Sequence, residues 1–101
     1  MTWEYEINGV GPLVKKATDG ELTPQEMLNE LGKLLEHKVP MHLQEFSDIA
    51  PLIERAKNFR PFDGEEPRDV EARANLVLED LYDWADENRV FIVPYGWRNW
   101  E

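Results

Sequence analysis

Residues 67–88 read PRDVEARANLVLEDLYDWADEN, and this stretch decides the fold. Val70, Ala74, Val77, Leu78, Leu81, Trp84 and Ala85 recur at i, i+4, i+7, i+8, i+11, i+14 and i+15. At about 100° per residue these positions form one apolar stripe, the period of an amphipathic helix. Glu65, Glu66 and Asp69 stand where carboxylates favour the positive end of a helix dipole. Pro67 suits the first helical position, and Asn88 suits a left-handed stop. The stripe must be buried, so the other elements are expected to pack on it.

Working back towards the N-terminus, Arg60-Pro61-Phe62-Asp63-Gly64 reads as a loop. Before it, Leu43, Phe46, Ile49, Ala50, Ile53, Ala56 and Phe59 keep a helical period that Pro51 interrupts. A cap at Ser47 would place Pro51 in a first turn, where the amide hydrogens have no intrahelical partner. The expectation is therefore a short turn around Leu43–Phe46 and a helix from about Asp48 to Asn58. Thr23-Pro24-Gln25-Glu26 is a helix start, with Thr23 as cap, Pro24 next and Glu26 closing a capping box. Met27, Leu28, Leu31, Leu34 and Leu35 supply its apolar face, and Val39-Pro40 ends it. Gly32 inside this run lowers helix propensity by about 1 kcal/mol against Ala, or else admits a neighbouring helix closely.

Thr2 to Ile7 alternates, with Trp3, Tyr5 and Ile7 on one side, as a half-buried strand does. Asn8-Gly9 breaks it, and a short helix from near Pro12, or an ordered loop, runs to Asp19-Gly20. Val90-Phe91-Ile92-Val93 is a short β-forming run closed by Pro94. Such a strand needs a partner for its backbone. The N-terminal strand is the available one, in a direction the sequence leaves open. The expected fold is α+β, mostly helical: three to four helices packed with a small two-stranded sheet made by the two ends. Residues 1–101 are expected to form a single compact domain.

Eleven Lys and Arg against twenty-one Asp and Glu leave a net charge of −10. Phosphate binding needs a basic patch, so direct nucleic-acid binding is not expected, nor is binding to anionic membrane. The charge suits solubility and long-range attraction to a basic protein. The chain has no cysteine, which excludes a disulfide framework and thiolate metal sites and fits a reducing cytoplasm. No signal peptide or membrane span is expected.

Candidate functional residues fall in two places. On the polar side of the long helix Glu79, Asp80, Asp83, Asp86 and Glu87 repel one another, with Arg68 and Arg73 as the main positive relief. A solvated face is the plainer explanation, a dock for a Lys- or Arg-rich protein the sharper one. The spacing lacks the glycine and alternating ligands of a calcium loop, so no metal is expected. In the tail YGWRNWE, residues 95–101, Trp97 and Trp100 flank an arginine, residue types enriched at binding hot spots. These rings either cap the core or anchor a partner. His37 and His42 bracket Lys38 to Met41 without a third ligand, and surface histidines explain them.

No nucleophile elbow, phosphate loop or dinucleotide fingerprint is present, and Ser47 is the only serine. Catalysis and a cofactor are not expected. In size and charge alone the chain resembles immunity, antirestriction and anti-CRISPR proteins, a likeness that brings no residues with it. The leading expectation is a small acidic protein-binding module, an inhibitor in type, that occupies the basic surface of a partner. The alternative is a structural or adaptor subunit that binds through an apolar groove or the tryptophan tail.

Overall fold

The computed structural model describes residues 5–92. Along the chain run β1 (Tyr5–Ile7), α1 (Val10–Thr18), α2 (Pro24–Lys38), α3 (Met41–Phe46), α4 (Ile49–Lys57), α5 (Pro67–Glu87) and β2 (Val90–Ile92). β1 and β2 form the two-stranded sheet, so the two ends of the described chain meet. The pairing is parallel, with Tyr5 opposite Val90, Glu6 opposite Phe91 and Ile7 opposite Ile92. The architecture is α+β and mostly helical, as expected, with five helices among the described residues where three to four were expected. Two of the five, α1 and α3, are the segments for which sequence pattern supports only a short helix or a single turn. Thr2, Trp3, Glu4 and Val93, expected as strand residues, lie outside the described residues.

α5 is the floor of the core. All seven positions of its apolar stripe are buried, and Tyr82 joins them. Fully burying a Leu side chain contributes about 1.5–3 kcal/mol, so the stripe outweighs the like-charge repulsion on the opposite side. Ile7, Val10, Leu28, Leu31, Leu35, Ile49, Ile53 and Val90 close over it. Among the described residues no polar or charged residue is buried.

α2 packs against α4, and Gly32 explains how closely. A Cβ at Gly32 would lie 2.8 Å from the backbone nitrogen of Lys57 and 3.1 Å from the carbonyl oxygen of Ile53. The glycine therefore serves close approach, the second of its two expected roles. The Thr23 capping box is formed: Glu26 N–H donates to Thr23 Oγ1 at 3.1 Å, and Thr23 N–H donates to Glu26 Oε1 at 3.0 Å.

Four boundary details differ from the sequence expectation. α1 begins at Val10, two residues before Pro12, because Gly9 takes φ 102° and turns the chain directly out of β1. The residue ahead of α4 is Asp48, not Ser47, and its side chain makes no capping bond. Ser47 does not cap α4; its hydroxyl turns back to the carbonyl of Leu43. Asn88 keeps φ −105° and spends its side-chain amide on the carbonyl of Trp84, at 2.9 Å. The left-handed residue is Arg89, φ 56°, one place beyond the cap, where helices commonly reverse.

Candidate functional site

α5 carries its carboxylates on the arc opposite the buried stripe, and Glu79, Asp80, Asp83, Asp86 and Glu87 are all exposed. A helix advances about 100° per residue, so these five do not share one line. Asp80, Asp83 and Glu87 border an open hollow between α5 and the start of α4. Asp48, from the α3–α4 junction, borders it too, and Leu52 and Trp84 supply its apolar wall. Glu79 and Asp86 do not line this hollow. The structure thus brings together three of the five helix carboxylates and adds a fourth from another element.

The charge relief differs from the expected one. Arg73 is not available to the acidic arc, because the loop before α5 folds Glu65 onto it. Arg73 Nε donates to Glu65 Oε2 at 2.7 Å, and Arg73 Nη2 donates to Glu65 Oε1 at 2.8 Å. The same Nη2 also donates to the carbonyl of Arg60 at 2.8 Å. Glu65 is mostly shielded from solvent and accepts the Phe62 N–H at 2.9 Å. The Arg73 hydrogen bond, aided by that amide, lowers the Glu65 pKa to about 2. Arg68 lies 3.6 Å from Glu66, at the far end of the helix from the hollow.

The cation that does meet the acidic arc is Arg55 of α4, whose Nη1 donates to Asp80 Oδ2 at 2.9 Å. Both side chains are about half exposed, so the pair contributes little stability. It fixes the position of Asp80 and leaves Asp48, Asp83 and Glu87 without an ion pair among the described residues.

The hollow is held in place from behind. Trp84 Nε1 donates to Ser47 Oγ at 2.9 Å, which ties α5 to the α3–α4 junction and fixes where Asp48 stands. Neither Asp48 nor Ser47 is evident as a site residue from sequence, since both become neighbours of α5 only through tertiary packing. The one available signal is that Ser47-Asp48 precedes a proline-interrupted helical pattern.

The remaining sequence candidates are dispersed. His42 Nε2 lies 2.7 Å from the Tyr5 hydroxyl, linking α3 to β1. His37 stands in the last turn of α2 and borders a different groove, with Leu13 and Leu34. Among the described residues no three His, Asp or Glu side chains are arranged to hold a metal ion. No helix among them is long and apolar enough to cross a membrane. Trp97 and Trp100 lie outside the described residues. No protein-family model matches the chain, and neither a curated protein nor a solved structure does.

Proposed function

We propose that this chain is a small acidic protein-binding module that acts in the cytoplasm and occupies a basic surface of a partner protein. Such a surface is one that otherwise binds nucleic acid, and the module would act there as an inhibitor. One observation carries the proposal: carboxylates from two elements, Asp48 and the Asp80–Asp83–Glu87 series, border one hollow with an apolar wall. A Lys or Arg side chain entering it would lay its aliphatic stem on Leu52 and Trp84 and present its charge to the rim. The net charge of −10 would speed encounter with a basic partner, and the seated side chains would slow its release. The absence of cysteine supports the reducing compartment.

The test is affinity capture from source-cell lysate at low and high salt, with partners identified by mass spectrometry. A D48N/D80N/D83N/E87Q variant is run beside the wild type. The expected result is a basic partner retained by the wild type at low salt and lost both at high salt and with the variant. A partner kept in all conditions would overturn the charge-based reading.

A further inference from the structure

A second hollow adjoins the acidic one, and its chemistry is the reverse. Arg55 borders the second hollow and Asp80 borders the first, so their ion pair stands between the two. No carboxylate lines the second hollow; its rim carries Arg55, Arg60 and Asn58, and its apolar wall includes Phe62 and Leu76. Phe62 is 67% exposed and Leu76 is 58% exposed, two of the three large apolar side chains left in solvent among the described residues. On a chain of net charge −10 this is a local reversal of sign beside a pair of uncovered apolar groups.

Phe62 is also held in place. Its N–H donates to Glu65 Oε1 at 2.9 Å, and its carbonyl accepts the Glu65 N–H at 3.0 Å. Arg73 stands over its ring at 4.1 Å and over the buried Phe59 ring at 4.7 Å. Glu65 matches the Arg73 charge, so Arg73 acts as a spacer that fixes the exposed ring. An anchor already fixed loses little side-chain freedom when a partner arrives. The free charge is that of Arg60, which has no ion pair among the described residues, while the half-exposed Arg55 beside it is already paired with Asp80.

The geometry points to a docking surface for a short acidic, amphipathic segment of a partner protein. An apolar side chain of that segment lies between Phe62 and Leu76. A neighbouring carboxylate takes the Arg60 guanidinium, a two-point pairing that Arg favours. A second carboxylate competes with Asp80 for Arg55. A nucleic-acid strand is a poorer occupant, because its run of phosphates meets the repulsion of the whole chain rather than of one contact. A second copy brings a further −10 with it. This surface does not depend on the acidic hollow binding anything.

The experiment selects peptides from a random display library against the full chain. The selected peptides are resynthesised with each Asp and Glu changed to Asn or Gln. The site is mapped by amide chemical shifts. The expected result is enrichment of sequences placing a carboxylate beside Leu, Phe or Met, with shifts centred on Arg60, Phe62 and Leu76. R60E and L76A each weaken binding by about tenfold or more, as does amidation of the peptide. D83N/E87Q leaves it unchanged, which separates this surface from the acidic hollow. Both Arg60 and Leu76 are exposed, and an unchanged thermal midpoint will show that the variants are folded. Selection of basic or charge-indifferent peptides, shifts elsewhere or no selected binder would overturn the proposal. So would a single-stranded oligonucleotide bound at these residues, or self-association abolished by L76A.

Discussion

Trp84 Nε1 donates to the hydroxyl of Ser47 at 2.9 Å, and that hydroxyl in turn donates to the carbonyl of Leu43. One serine therefore joins α5 to the end of α3, and it borders the acidic hollow while doing so. Ser47→Ala removes the acceptor of an indole that is almost wholly buried. The expected loss is about 1–2 kcal/mol in urea unfolding, within the usual range for an orphaned partner. The accompanying expectation is a loss of affinity for a basic partner, since Asp48 is no longer held by its neighbour.

Gly32→Ala offers a contest between two effects. Alanine favours a helix interior by about 1 kcal/mol over glycine. Its methyl would stand 2.8 Å from the Lys57 nitrogen, a backbone atom that cannot rotate away. Separating α2 from α4 disturbs the core around Leu28, Leu31 and Ile53, and overpacking of this kind costs about 1–3 kcal/mol. The net expectation is destabilisation, read as a lower urea midpoint. An unchanged or raised midpoint would show that the two helices can part freely.

Asn29 caps α4 from another helix. Its Nδ2 donates to the carbonyls of Ala56 and Lys57, each at 3.0 Å, and reaches that of Phe59 at 3.3 Å. The carbonyls of a helix's last turn have no partner within the helix. Asn29→Ala is expected to destabilise by about 1 kcal/mol. Asn29→Asp, which aims a carboxylate at three carbonyls, is expected to cost more. Equal losses in the two variants would mean that the carboxylate swings away from the carbonyls into solvent.

The sequence made the long helix, the α2 capping box and the meeting of the two ends legible, because each depends on spacing along the chain. Val70 through Ala85 repeat with the helix period whatever packs on them, and Thr23 reaches Glu26 three residues away. Asn29, Ser47 and Arg73 were not legible in the same way. Asn29 acts on a helix end 27 to 30 residues later, and Ser47 on an indole 37 residues later. Arg73 has eligible carboxylates on both sides, and only the fold of residues 60–66 selects Glu65. The acidic arc was legible as a composition, while its division into a hollow and two outlying carboxylates depends on where α4 begins. Leu76, which falls off the buried stripe, was the one sequence signal for the arginine-rimmed hollow.

Glu65 makes stability depend on pH in a defined direction. Its carboxyl has a folded pKa of about 2 against an ordinary 4.5, so the unfolded chain binds the extra proton first. The stabilisation is complete above 4.5 and is lost as the pH falls towards about 2. The thermal midpoint is expected to fall across that window, and Glu65→Gln to flatten the fall while lowering the midpoint at neutral pH. A variant profile parallel to the wild type would show that other carboxylates carry the acid response. Release of Arg73 in acid also frees the Phe62 ring, so peptide binding at the arginine-rimmed hollow should weaken in the same window.

Parallel pairing of β1 with β2 has a mechanical consequence. Two parallel strands at opposite ends of a chain, pulled apart by those ends, slide along each other rather than peel. Every bond of the Tyr5–Ile7 and Val90–Ile92 ladder is then loaded at once instead of one after another. Three residues a side make a small clamp, yet it closes a loop containing all five helices. Under tension the helices stay slack until the ladder shears, and then all of them are exposed to the force together.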